Sequence, residues 1–207
     1  MKSRMIFGLV IVMLAGVIWM LFLKEGGEPV LNAPPSKPGI VAFGDTLTRG
    51  VGAEDGRGYP EQLSEMLGRE VVNLGLSGET TKGALARLSQ VLDYDPGVVL
   101  ITLGGNDLKN GVPKEEAFHN LRRIVTRFQE SGAMVVVGAI EVPFYSKGYP
   151  KGYRTLAQET GAALVPNVYD GVLGTPSLMS DTIHPNAKGY AIMAQHFYGV
   201  LSPLLQP

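Results

Sequence analysis

The stretch Asp181-Thr-Ile-His184-Pro185 has the residue types needed to move a proton. A residue that precedes proline is driven out of the helical region, so His184 belongs to a loop. Asp181, three residues upstream, is close enough to accept a hydrogen bond from one imidazole nitrogen. Such a bond fixes the tautomer and leaves the other nitrogen free as a base. Asp181 capping a turn is the plainer reading. An Asp–His metal pair is a further option, with no third ligand evident. Two other stretches offer donors for a developing negative charge: Gly78 within Asn73-Leu-Gly-Leu-Ser-Gly78-Glu-Thr80, and Asn106 within Leu103-Gly-Gly-Asn106-Asp107. A backbone N–H after a glycine and a side-chain amide are typical partners of an oxyanion. Each stretch alone also reads as a turn, since Gly and Asn tolerate positive φ. A fourth stretch, Gly44-Asp45-Thr46-Leu-Thr-Arg-Gly50, ends the first apolar run.

Composition narrows the chemistry. The 207 residues include no cysteine, so thiolate zinc sites, iron–sulfur clusters, disulfide scaffolds and cysteine nucleophiles are excluded. Covalent catalysis then cannot use a thiol, and a hydroxyl is the obvious substitute. With 18 basic and 19 acidic residues the net charge is -1, which argues against a dedicated nucleic-acid binder. The remaining histidines read as structural or peripheral: His119 on the surface of a helix, His196 on the last helix. Asp45 reads as a hydrogen-bonding residue of its own loop and Asp107 as a brace for the turn that holds Asn106. Gly104 and Gly105 permit that turn.

These residues need elements to position them. Apolar runs at Ile40–Phe43, Glu70–Leu74, Val98–Leu103, Met134–Ile140 and Ala163–Val165 fit five buried parallel strands. Ala117, Leu121, Ile124, Val125 and Phe128 share one helical face, and Leu85, Leu88, Val91 and Leu92 repeat that pattern as a helix of their own. Pro185 is expected to start a last helix with Ile192, Phe197 and Leu201 inside. Strands alternating with helices predict a parallel α/β sheet covered on both faces. In such sheets the ligand sits beyond the carboxyl ends of the strands, which is where all four stretches fall.

The N-terminal end differs. Met5–Leu23 is 19 residues without a charge, enough for a helix of roughly 28 Å, about one bilayer core. Lys2 and Arg4 precede it, which favours an N-terminus held in the cytoplasm. The expected organisation is a signal anchor or transmembrane helix at 1–23, a Pro/Gly-rich linker at 24–38, and a single domain at 39–207. The domain then lies outside the cytoplasm, anchored by that helix, or is secreted if the segment is cleaved.

Taken together, GDTLTRG, NLGLSGETT, LGGND and DTIHP resemble the four blocks of the SGNH (GDSL) hydrolases, over roughly Ile40 to Leu201. The branch most similar is the small thioesterase, lysophospholipase and arylesterase type. The resemblance implies a flavodoxin-like three-layer α/β/α fold with a five-stranded parallel sheet. It implies hydrolysis of carboxylic esters or thioesters through an acyl-enzyme, with no metal and no cofactor. The substrate would be an acyl ester, lysophospholipid or aryl ester. It places Thr46 at the nucleophile position, Asp181 and His184 at the other triad positions, and Gly78 and Asn106 at the oxyanion positions, with the N–H of residue 46 as third donor. The loop after the fourth strand resembles that branch's mobile substrate loop. Phe144, Tyr145 and Tyr149 would line an acyl channel there, unless they simply pack on the domain surface. One departure matters: the family has serine where this chain has Thr46. Three readings compete, namely a slower nucleophile, an engineered change, and a pseudoenzyme that binds an acyl or glycan ligand. A carbohydrate deacetylase acting on envelope glycans is a further alternative.

Overall fold

A computed structural model describes residues 29–143, 145–146 and 148–206. Met5–Leu23 lies outside them, and among the described residues no helix is long and apolar enough to cross a membrane. The strands are β1 (Ile40–Gly44), β2 (Val71–Gly75), β3 (Val98–Thr102), β4 (Met134–Gly138) and β5 (Ala163–Val165). They pair in parallel in the order β2-β1-β3-β4-β5. Each apolar run anticipated as a strand is one, within a residue or two. β1, β3 and β4 are buried at every position, as their unbroken Val/Ile/Leu/Phe character requires of strands covered on both faces.

Eight α-helices are seen among the described residues: α1 (Thr46–Arg49), α2 (Tyr59–Leu67), α3 (Thr81–Ala86), α4 (Leu88–Leu92), α5 (Gly105–Lys109), α6 (Lys114–Glu130), α7 (Tyr149–Thr160) and α8 (Ala187–Leu201). α2 packs on α8 over one face of the sheet, and α6 packs between α3 and α7 over the other. Tyr59 of α2 stacks on Phe197 of α8 with ring centroids 4.7 Å apart. Its hydroxyl bonds with the hydroxyls of Thr48 and Thr102. Opposite them, Phe43 of β1 meets Phe128 of α6 edge-on. α6 buries the expected stripe of Ala117, Leu121, Ile124, Val125 and Phe128.

Three expectations are corrected. The segment holding Leu85, Leu88, Val91 and Leu92 is two short helices, because the backbone turns at Arg87, whose side chain is drawn inward. The last helix begins after Pro185, not at it. Asn186 is its N-cap and accepts the N–H groups of Lys188 and Gly189, satisfying two donors that a helix start leaves free. Its inner face is Tyr190, Met193, Ala194, Phe197 and Leu201, with Ile192 only partly covered.

The 2-1-3-4-5 order puts the topological switch between β1 and β3, and the crevice beyond their carboxyl ends is where doubly wound sheets bind ligands. The turn out of β1 is made possible by Gly44. A Cβ there would stand 2.2 Å from Thr48 Oγ1 and 2.3 Å from the Thr102 carbonyl oxygen. Relief requires the backbone of β3 to move. Gly44→Ala should therefore cost at least about 2 kcal/mol, in the usual range of overpacking penalties. Urea denaturation of the variant against the parent chain measures it, and an unchanged midpoint would show that the turn is not constrained in this way.

Candidate active site

Asp45, the residue after β1, caps the short helix α1: its Oδ1 accepts the Leu47 N–H at 3.0 Å. This turns Thr46 to the helix start, with its side chain half exposed. The Thr46 hydroxyl oxygen accepts the Gly78 N–H at 3.1 Å, across from the loop that follows β2. Gly78 has φ of +78°, so the left-handed backbone that aims this N–H suits glycine.

Asn106 is on the first turn of α5, directly after β3. Its Nδ2 donates to Glu79 O at 3.0 Å and to Asp45 Oδ2 at 3.3 Å. The preceding Gly104 has φ of +114°, and a Cβ there would fall 2.5 Å from the Tyr153 hydroxyl oxygen. Tyr153 in turn donates to Leu103 O at 2.6 Å, fixing the end of β3.

Asp181 and His184 form a compact loop. His184 Nδ1 lies 2.6 Å from Asp181 Oδ2, while Asp181 Oδ1 accepts the backbone N–H groups of Ile183 and His184, both at 2.8 Å. Those bonds, the one to the imidazole foremost, hold the Asp181 carboxyl down at about 2. Asp181 is therefore a carboxylate across the working pH range. The loop is held from below by Tyr169, whose hydroxyl donates to Ile183 O at 2.5 Å.

Asp45, Thr46, Asn106, Ile183 and His184 line one cavity of about 480 Å³. Leu47, Leu108, Ile140, Val142 and the rings of Tyr145 and Tyr169 give it a mainly apolar wall. No hydrogen bond among the described residues joins Thr46 to His184. That is compatible with an empty acyl-transfer site, where such bonds often tighten only when substrate binds. Of the loop aromatics, Tyr145 lines the cavity and is half exposed. Phe144 lies outside the described residues. Tyr149 does not line the cavity: it opens α7 and its ring is buried against Phe118, 5.2 Å between centroids. His119 is exposed on α6 and His196 half-buried on α8.

Of the residues that brace these loops, sequence reasoning anticipated Asp107 beside Asn106 and passed over Glu79 and Arg87. Glu79, beside Gly78, is buried and paired with Arg87, which also donates to Leu74 O at 2.8 Å and lies 4.5 Å over the Phe43 ring. Asp107 is fully buried and accepts the Thr81 hydroxyl at 2.7 Å and the Thr81 N–H at 2.9 Å. Arg87 stands among apolar residues at helical spacing, so in sequence it reads as a solvated charge.

A hydroxyl at a helix start, an Asp–His pair and convergent N–H donors, all beyond the carboxyl edge of a parallel sheet, define the class of acyl-transfer hydrolases. Comparison with known proteins places the chain within it. A family model for the GDSL-like Lipase/Acylhydrolase family matches residues 42–192, and the chain belongs to that family. It is 30% identical over 178 residues to Esterase TesA of Pseudomonas aeruginosa, covering 80% of this chain and 89% of that protein. It is 33% identical over 168 residues to an Arylesterase of Vibrio mimicus, covering 75% and 84%. The crystal structure of TesA superposes with a TM-score of 0.76 at 30% identity, over 80% of this chain and 99% of the other.

Asp45 gives the site a pH signature. Burial pushes its carboxyl up to about 7, opposed by the Leu47 N–H and reinforced by Glu79 and Asp107. The folded chain then holds a proton that the unfolded chain releases near pH 4. Between these values the native state binds more protons than the unfolded one, so raising the pH costs stability until it levels off near 7. A tenfold change in proton affinity corresponds to about 1.4 kcal/mol, so the Asp45 contribution is on the order of a few kcal/mol. Urea melts at pH 4 to 8 should show a decline in the parent that Asp45→Asn lacks. Parallel curves for the two proteins would assign the charge elsewhere.

Proposed function

We propose that the chain hydrolyses carboxylic esters and thioesters of small acyl groups through an acyl-enzyme on Thr46. The observation that carries this reading is the shared cavity: Thr46, Asn106 and His184 open onto one largely apolar volume, with Asp181 seated on His184 Nδ1. Esterase and arylesterase are also the activities in the names of the relatives.

In this mechanism Asp181 holds His184 with Nε2 free. His184 removes the Thr46 proton as Oγ1 attacks the acyl carbonyl carbon. The carbonyl oxygen becomes an oxyanion that takes hydrogen bonds from the Gly78 N–H, the Asn106 amide and the N–H of residue 46. At rest the Gly78 N–H is occupied by Thr46 Oγ1, and the Asn106 amide by Glu79 O and Asp45 Oδ2. The incoming oxyanion replaces acceptors that two of its three donors already hold. His184 then protonates the leaving group, water enters, and His184 serves again as base to release the acid. The apolar wall takes the acyl chain, with Tyr145 at its edge.

The uncharged run Met5–Leu23 behind Lys2 and Arg4 supports reading it as a signal anchor with the domain outside the cytoplasm. A second reading, a ligand-binding protein with chemistry impaired, draws on one observation: the Thr46 hydroxyl bonds to Gly78 and not to His184.

The two readings separate on p-nitrophenyl butyrate. His184→Ala should lower kcat/KM by at least about 1,000-fold, as loss of a triad member does. Asn106→Ala should lower it by about 100-fold, the scale of one oxyanion donor. Thr46→Ser should raise it by about 10- to 100-fold, by removing a methyl that restricts the attacking oxygen. An inert parent that stays inert as Thr46→Ser, with no acyl adduct by intact-protein mass spectrometry, favours the binder.

A further inference from the structure

Residues 29–38 form a strap against one pole of the domain, and the active-site cavity opens at the other. The Leu31 N–H donates to Gly161 O at 2.9 Å, and Asn32 Nδ2 donates to Gln129 O and Ala133 O at 2.9 and 3.0 Å. Lys37 Nζ reaches Ser131 O at 3.0 Å and Asp95 at 2.5 Å. Val30 and Ala33 pack on the core. Every one of these partners lies in, or just before, a loop that enters β3, β4 or β5. Thr46, Gly78 and Asn106 lie in segments that leave β1, β2 and β3. Because all the strands run parallel, the two sets occupy opposite edges of the sheet. Strands of five residues alone keep them about 16 Å apart.

Only Lys24–Glu28 stand between Leu23, the end of the apolar run, and Pro29, where the strap begins. Five residues reach at most about 18 Å when fully extended. A domain of this length is about 40 Å across, so the path over its surface from strap to cavity mouth is about 60 Å. The domain can lean on such a tether, but it cannot turn its mouth to the surface from which the tether rises.

We propose that the strap faces the active site away from the anchoring bilayer, so that this hydrolase takes ester substrates from the aqueous phase and not from the lipids of the bilayer that holds it. The inference rests on the reading of Met5–Leu23 as an anchor. It also gives the bonds of Asn32 and Lys37 a purpose, because a strap that peeled off would lengthen the tether and free the domain to roll.

The absence of cysteine makes the test direct, since one introduced thiol is a unique label. The full chain is reconstituted in phosphatidylcholine vesicles carrying a headgroup quencher. A fluorophore is placed either at Glu130→Cys, by the strap, or at Leu76→Cys, on the exposed rim by Gly78. The protein should sediment with the vesicles, with the label at position 130 quenched and that at 76 not. Inserting about 30 Gly/Ser residues between Glu28 and Pro29, with a root-mean-square span of roughly 30 Å, should bring quenching at position 76 up towards that at 130. The same insertion should raise hydrolysis of vesicle-resident lysophosphatidylcholine by about tenfold, as expected when a tether first spans its target. It should leave hydrolysis of p-nitrophenyl butyrate unchanged. A chain that stays in the supernatant overturns the anchor, and the orientation with it. A sedimenting chain quenched equally at both positions overturns the orientation and leaves the anchor standing. An unchanged lipid-to-aqueous rate ratio on insertion overturns the substrate assignment.

Discussion

The side-chain amide of Asn106 ties together the ends of three strands. It leaves β3, donates to the Glu79 carbonyl after β2, and donates to the Asp45 carboxyl after β1. The spacing of Thr46, Gly78 and Asn106, on three separate loops, is set by those bonds. Their acceptors are held in turn. The Glu79 carboxyl is buried on Arg87, and Arg87 is fixed by the Leu74 carbonyl and the Phe43 ring at the centre of the sheet. Asp107, next to Asn106, is locked by Thr81 at the start of α3. Removing one member of a buried pair such as Glu79–Arg87 strands the other and typically costs about 3–5 kcal/mol. The pair therefore transmits the rigidity of the core to a loop that has little packing of its own, since Leu76, Ser77 and Gly78 are all exposed.

The Thr46 hydroxyl is held by the Gly78 N–H and not by this network. A serine there rotates among staggered positions at little cost, so its oxygen can leave Gly78 and turn to His184. The second heavy substituent on the threonine Cβ narrows that choice. In the proposed mechanism the Thr46 hydroxyl rests on the donor that must later serve the oxyanion. In that mechanism attack on substrate requires a rotation that the methyl resists, so the effect of threonine would fall on the approach of the nucleophile rather than on the base or the oxyanion donors.

Much of this was legible in the sequence. The five strands announce themselves because buried parallel strands are unbroken apolar runs, and the functional stretches fall at their ends because a doubly wound sheet puts its crevice there. The Asp181–His184 pair became readable only beside the other three stretches, because alone an Asp-x-x-His reads equally as a turn cap. Other features depend on contacts distant in sequence. Arg87 breaks a helical pattern to reach Glu79 and Phe43. Tyr149 has the look of a loop aromatic, yet it starts a helix because Phe118, from α6, supplies the surface that buries it. The strap at 29–38 reads as part of a linker from its four prolines, since its partners at Gln129, Ala133 and Gly161 lie about 100 residues or more along the chain.

A tension remains in the proposed mechanism. Asp45, Glu79 and Asp107 are all buried on the loops that would hold an oxyanion, and uncompensated carboxylates there would oppose it. The structure answers each one differently. Glu79 is matched by Arg87, and Asp107 receives two bonds from Thr81. Asp45 has only the Leu47 N–H and the long Asn106 contact, and burial favours its protonated form. A neutral Asp45 adds no charge beside the oxyanion and releases the Asn106 amide more readily to it. A charged Asp45 competes with the oxyanion for that same amide. In the proposed mechanism the raised carboxyl that costs the fold stability at high pH would also ease the electrostatic problem of the transition state at lower pH, so one buried residue would carry both effects.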